Sequence, residues 1–214
     1  MEILTKAEAH ILNTAPSYEQ VLFTFRTAAR NCYQSATDSN NNYEDTERLV
    51  KALIKSGHHS TLEFNFIPAR IIGDRSLMGQ LTRSRLLSFC IESARYNNYK
   101  EDGIKVIVPA DMTEAGYETW RASCIVAESA YLELLDKGCK PETARSVLPS
   151  CLATSIVCGG NIREWRHVFE LRISRHTQID IRNVMKSLLE DFYRNYPVFF
   201  ADQYNKMIEQ GTLD

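Results

Sequence analysis

Lysine is missing from two long stretches of this chain. None occurs between Lys55 and Lys100, and none between Lys140 and Lys186. Arginine fills both gaps: Arg70, Arg75, Arg83, Arg85 and Arg95 in the first, and Arg145, Arg163, Arg166, Arg172, Arg175 and Arg182 in the second. A surface charged only for solubility would mix the two residue types. Lysine is a hydrated point charge, whereas arginine presents a flat fork of donors that grips phosphate or carboxylate two bonds at a time. Its exclusive use points to directed recognition of an anion. The plainer alternative pairs these arginines on helix surfaces with Glu63, Asp74, Glu92, Glu164, Glu170 and Asp180, contacts that are common and weak.

Other absences narrow the field further. There is no excess of positive charge: the formal net charge is −2. That disfavours an arginine-rich RNA binder and a general nucleic-acid or membrane-surface binder. None of Cys32, Cys90, Cys124, Cys139, Cys151 and Cys158 forms a C-x-x-C pair or stands at zinc-finger spacing from a histidine, so no metal site is expected. Most lie in apolar runs and read as buried thiols of a reducing compartment. No apolar run approaches the roughly 18 residues of a membrane span, and the N-terminus lacks the basic-then-apolar build of a leader. A soluble, cytoplasmic protein is the expectation. There is no G-x-G-x-x-G and no P-loop, so a nucleotide would be held by arginines instead of a glycine-rich cradle. No linker, repeat or low-complexity block interrupts the sequence, and 1–214 is expected to be a single domain.

Strand and helix patterns interleave, which predicts a mixed α/β fold. Residues 2–13 read as an edge strand or turn. Tyr18 to Cys32 repeats apolar residues at helical spacing, 35–45 is a polar loop, and Tyr43 to Ser56 is a second helix stopped by Gly57. Thr61 to Ile67 alternates and predicts a half-buried strand. Asp74 opens a short helix to about Arg83. Ala94-Arg95-Tyr96 is strand-like in content, and Lys105 to Pro109 is a short strand. A long helix is expected over 113–137 with Tyr117, Trp120, Cys124, Ala127, Tyr131 and Leu134 on one face. A helical turn over Pro141 to Val147 follows, then a buried strand over Leu152 to Cys158, stopped by Gly159-Gly160. Helices over Asn161 to Arg172 and Asp180 to Tyr196 finish the chain.

The densest chemistry lies in Arg83-Ser84-Arg85, then seven residues, then Ser93-Ala94-Arg95. Three further segments accompany it: Gly57-His58-His59-Ser60-Thr61-Leu62-Glu63, then Ala144-Arg145-Ser146-Val147-Leu148-Pro149, and Asn161 to His167 running on to Gln178. On a helix Arg163, His167 and Glu170 share a face, and Arg172 and His176 are i, i+4 partners.

In order and spacing these segments resemble the flavin-dependent thymidylate synthases from about His58 to Arg182. The signature of that family is R-H-R, seven residues and S, closed by S-x-R. Ala28 to Tyr33 is similar to the family's first helix. One departure stands out: Ser84 occupies the place of the family's histidine, which removes an imidazole from the flavin edge. A lesser one is that the acidic residue near the motif's ninth position appears as Glu92, preceded by Ile91.

The resemblance implies one α/β domain with a central sheet flanked by long helices. It also implies reductive methylation of dUMP to dTMP. Methylenetetrahydrofolate would supply the carbon, and FAD reduced by NADPH the hydride. By position, Gln80, Arg83, Glu92, Ser93, Ala94, Arg95, Arg145 and Arg172 would contact the nucleotide, with Arg172 facing the uracil as the catalytic group. Ser60, Glu63, Arg83, Ser84, Arg85, Ile91, Asn161, Arg163, His167 and His176 would contact the flavin. A homotetramer with active sites between subunits is implied as well. The alternatives are a relative acting on another pyrimidine nucleotide or stopping at hydroxymethylation, and a flavin- or nucleotide-binding homologue without turnover.

Overall fold

Two-residue alternation builds the centre of the fold. In β3 (Phe66–Asp74) the side chains of Ile67, Ala69 and Ile71 are buried while Phe66 and Arg70 are exposed. The computed structural model, which describes residues 1–33 and 42–214, places β3 inside an antiparallel sheet. Its partners are β2 (Glu8–Ile11) on one side and β6 (Ala153–Asn161) on the other. β4 (Ser88–Ile91) completes the order β2-β3-β6-β4.

Residues opposite one another share a face. Ile71 lies across from Ile156 and Ala69 from Cys158, and Phe89 and Ile91 join that side. The other face carries Phe66, Arg70, Val157, Ser88 and Cys90.

Helices cover the first face: α1 (Tyr18–Tyr33), α2 (Tyr43–Lys55), α6 (Ile162–Arg172), α7 (Ile179–Asn195) and α8 (Pro197–Gln210). Trp165 anchors this core. It is fully buried, donates its indole N–H to the Ile67 carbonyl at 2.9 Å, and packs on Phe169 and Phe192 with ring centroids 5.8 and 5.0 Å away. A smaller cluster of Ile104, Val106, Cys124 and Leu152 joins the parallel pair β1 (Glu2–Leu4) and β5 (Lys105–Ile107) to α4 (Glu114–Asp136). The short helices α3 (Arg75–Leu81) and α5 (Pro141–Ala144) sit between these parts in sequence. Among the described residues no helix is long and apolar enough to cross a membrane.

Several expectations are corrected. Residues 2–13 form two strands in two different sheets. The strand expected from Thr61 begins only at Phe66. His59–Leu62 is a 3-10 turn in which the adjacent residues Thr61 and Leu62 are both buried, which breaks the alternation. Ala94-Arg95-Tyr96 is a turn, closed by Tyr96 and Asn97 N–H groups on the Ser93 carbonyl at 3.1 and 3.0 Å, and the strand lies earlier.

Gly159 and Gly160 do not stop β6. They lie within it because a Cβ would meet the Phe66 ring at 2.5 Å in one case and Leu87 Cδ2 at 2.5 Å in the other. The predicted loop over 35–45 lies outside the described residues as far as position 41, while Tyr43, Glu44 and Asp45 already belong to α2. The chain does not finish at Tyr196. Pro197 starts α8, where a missing N–H costs nothing. That helix returns along α7, with Tyr204 stacked on Tyr193 at 4.1 Å.

Candidate functional site

The predicted site residues fall into three groups. The first forms at the C-terminal end of α3. Asp74 caps the start of that helix, accepting from Leu77 N–H at 2.7 Å, and the helix ends at Leu81. The Gln80 carbonyl there receives Arg172 Nη2 at 2.6 Å and the Arg83 backbone N–H at 3.3 Å. The Gln80 amide donates to Gln178 Oε1 at 2.6 Å. Arg172 Nε is buried without a partner among the described residues, and burial pushes the guanidinium pKa down from its ordinary value. Arg172 closes α6 while His176 lies in the turn beyond it. The two are therefore not neighbours on one helix, and His176 is exposed.

The second group leaves the end of β4. Glu92 is held by the Ser155 backbone N–H at 3.1 Å and by Asn97 and Tyr99 donors at 3.3 Å each. It faces a cavity of about 560 Å³ that also includes Arg70, Tyr99, Lys105 and Ser155. The Ser93 hydroxyl accepts from the Arg95 backbone N–H at 3.3 Å, and Ala94 is buried beneath the turn. Glu142 gathers the basic residues: its carboxylate takes Arg95 Nε at 2.9 Å and its carbonyl takes Arg145 Nε at 3.3 Å. No hydrogen bond or ion pair among the described residues joins this group to the first.

The third group surrounds a cavity of about 620 Å³ at the start of α6. Glu63, Asn161, Arg163 and His167 line it with His59, Leu86, Glu164, Arg166 and Glu170. Arg163 pairs with Glu63. Asn161 is both the last residue of β6 and the cap of α6, its side-chain oxygen accepting from Glu164 N–H at 2.9 Å. Its amide NH2 therefore remains for something else. His59 and Glu164 were not singled out from the sequence as ligand-contacting residues. A histidine beside His58, and a carboxylate one helical turn ahead of Val168, carry no pattern of their own.

Other candidates lie apart. Ser60 is exposed on the 3-10 turn, and Arg85 is exposed beyond α3. The Ile91 side chain packs against the sheet–helix core, on the face opposite Cys90. Ser84 is 5% exposed, and its hydroxyl has no partner among the described residues. A histidine there must displace its surroundings. Ser84→His is expected to lower stability by about 1–3 kcal/mol. Thermal unfolding of the two proteins checks this, and an equal midpoint would mean that the ring finds open space.

The alternative reading of the arginines as ordinary ion pairs holds for some of them. Arg163 pairs with Glu63, one of the acids named for such a role. Arg95, Arg166 and Arg175 take Glu142, Asp202 and Asp214, none of them anticipated. Arg166 is buried and forked on Asp202 at 2.8 and 2.6 Å, with a further bond to the Phe199 carbonyl, so it is a structural residue. Burial raises the Asp202 carboxyl pKa, but the Arg166 guanidinium outweighs this and holds it below the usual range. Arg83, Arg85, Arg145 and Arg172 form no salt bridge among the described residues. Burial pushes the thiol pKa of Cys158, and of Cys124 in contact with Cys151, up to about 12, so these thiols stay protonated and poorly nucleophilic.

A family model described as "Thymidylate synthase complementing protein" matches residues 17–198. A protein of Mycobacterium sp. (strain JLS) named flavin-dependent thymidylate synthase is 32% identical over 207 residues, covering 86% of this chain and 81% of that one. A protein of the same name from Geobacter sulfurreducens is 31% identical over 182 residues, covering 82% and 78%. Among solved structures, a UMP/dUMP methylase, PolB of Streptomyces cacaoi bound with 5-Br dUMP, superposes with a TM-score of 0.79. It covers 94% of this chain and 96% of its own at 24% identity, a likeness of fold.

Proposed function

Since this chain belongs to the flavin-dependent thymidylate synthase family, we propose that it methylates dUMP to dTMP with methylenetetrahydrofolate as carbon donor. The observation that carries this reading is the set of guanidinium groups left without a carboxylate, Arg83, Arg85, Arg145 and Arg172, at positions matching the family's motifs. Arg95 and Arg145, held together by Glu142, receive the nucleotide phosphate with Ser93 and the turn backbone. Arg172, fixed on the Gln80 carbonyl, directs a spare buried donor at the uracil. It stabilises the negative charge that makes C5 nucleophilic.

Asn161, Arg163, His167 and Glu63 around the third cavity fit a flavin, for they combine amide, guanidinium and imidazole groups with a polar wall. FAD reduced by NADPH supplies the hydride when bound. No side-chain hydrogen bond or ion pair among the described residues joins the flavin group to the nucleotide groups, and Phe66, Val157 and Leu86 (78% exposed) leave apolar surface beside them. Both features support a homotetramer that completes its sites between subunits. The whole chain acts as one domain, and its free thiols suit the cytoplasm.

The test is absorbance of the purified protein with added FAD, followed by reduction and mixing with dUMP or UMP and methylenetetrahydrofolate. Flavin oxidation coupled to dTMP is the expected result. A bound flavin with no methylated product would leave only a binding homologue. Product from UMP alone would reassign the substrate.

A further inference from the structure

Glu164, in the first turn of α6, is a buried residue whose carboxyl lines the third cavity. It is 5% exposed, and no hydrogen bond or ion pair reaches its side chain among the described residues. The arginines on either side are already committed, Arg163 to Glu63 and Arg166 to Asp202 and the Phe199 carbonyl. The other carboxylates of the cavity are partnered too: Glu63 by Arg163, and Glu170 by Gln203 Nε2 at 3.0 Å. Burial holds the Glu164 carboxyl pKa above its usual range, and the nearby His167 offsets this only in part. Desolvating an acid without a partner destabilises the folded chain. An acceptor that the protein leaves unpaired at a cavity wall is what a ligand-binding surface offers.

We propose that Glu164 reads the ligand of this cavity: its carboxyl accepts a hydrogen bond from an N–H at the edge of a bound heterocycle and turns phosphate away from that wall. This rests on the reading that the cavity holds FAD, which offers two such edges, the flavin imide and the adenine amino group. Phosphate oxygens find their donors elsewhere, and a carboxyl beside them would repel.

The test compares Glu164→Ala and Glu164→Gln with the parent protein, by thermal midpoint without ligand and by FAD titration. Glu164→Ala is expected to weaken FAD binding roughly tenfold or more, since hydrogen bonds to a charged acceptor are worth that much, while the midpoint without ligand changes little. Glu164→Gln, which retains an oxygen acceptor, should lose less. Two analogues distinguish the edges: FAD methylated at N3, and FAD carrying unsubstituted purine, which lacks the amino group, in place of adenine. The one whose N–H is read should bind the parent weakly and lose nothing further in Glu164→Ala.

FAD affinity unchanged in Glu164→Ala overturns the proposal while leaving the flavin reading intact. So does a lowered midpoint with unchanged relative affinities for FAD and both analogues. If the parent protein binds no FAD, the flavin reading falls and this proposal with it.

Discussion

Replacing Arg172 with alanine is expected to reduce dTMP formation by roughly 100- to 1000-fold, the usual effect of removing one directed donor from a dry site. FAD binding should stay close to that of the parent. The expectation follows from how the side chain is held. One prong is spent on the Gln80 carbonyl at 2.6 Å, while Nε is buried and unsatisfied. A fixed charge with one donor in reserve can favour the transition state over the ground state. Arg172→Lys should recover only part of the loss, because a point charge cannot hold the carbonyl and the pyrimidine together. Arg95→Ala should behave differently. It frees Glu142 and, on the proposed function, takes a contact from the phosphate, so it should raise the dUMP requirement more than it lowers turnover. Steady-state kinetics on folded variants separate the two, and near-normal turnover by Arg172→Ala would remove this residue from the chemistry.

A second large effect is expected in stability. Trp165→Ala should destabilise the protein by about 3–5 kcal/mol, combining a cavity with lost ring contacts to Phe169 and Phe192. Trp165→Phe keeps most of the volume but leaves the Ile67 carbonyl without its 2.9 Å donor, and should lose about 1–3 kcal/mol. Denaturant unfolding gives both values. A loss below about 1 kcal/mol for the alanine variant would mean that neighbouring rings collapse into the space far better than cores usually do.

The helices were legible because their faces repeat. Val21, Leu22, Phe25 and Ala29 on α1, and Ile181, Val184, Met185, Leu188 and Phe192 on α7, are all buried as the spacing implies. One cap residue also identified itself: Asp74 accepts the N–H its position requires, as Thr113 and Asn161 do at helices whose caps were not singled out. Strand limits were harder to read. Thr61 to Ile67 alternates in composition, but the chain turns before it extends, and only the pairing with β6 decides where β3 begins. The glycines of β6 read as a stop because the sequence cannot display Phe66 and Leu87 pressing on them from neighbouring segments.

For the candidate site, residue types and order were legible from motif spacing, while partnership was not. Nothing in the chain announces that Arg95 meets Glu142 or that Arg166 is consumed by Asp202, since those contacts bridge 47 and 36 positions. The orphan state of Glu164 and of the Ser84 hydroxyl likewise emerges only when every neighbour has been placed.

The passage of β6 directly into α6 has an entropic consequence. Asn161 ends the strand and caps the helix, so no loop separates the sheet from Arg163 and His167. Those side chains stand on the same helix whose inner face is locked by Trp165 and Phe169. Backbone freedom that a ligand would otherwise have to remove has already been surrendered during folding. Association at this wall therefore forfeits little disorder, and contacts made there report their strength almost undiminished. Arg95 stands on an exposed turn instead, so the ordering it requires falls on the moment of encounter. Of two equally good hydrogen bonds, the one on α6 holds its partner longer.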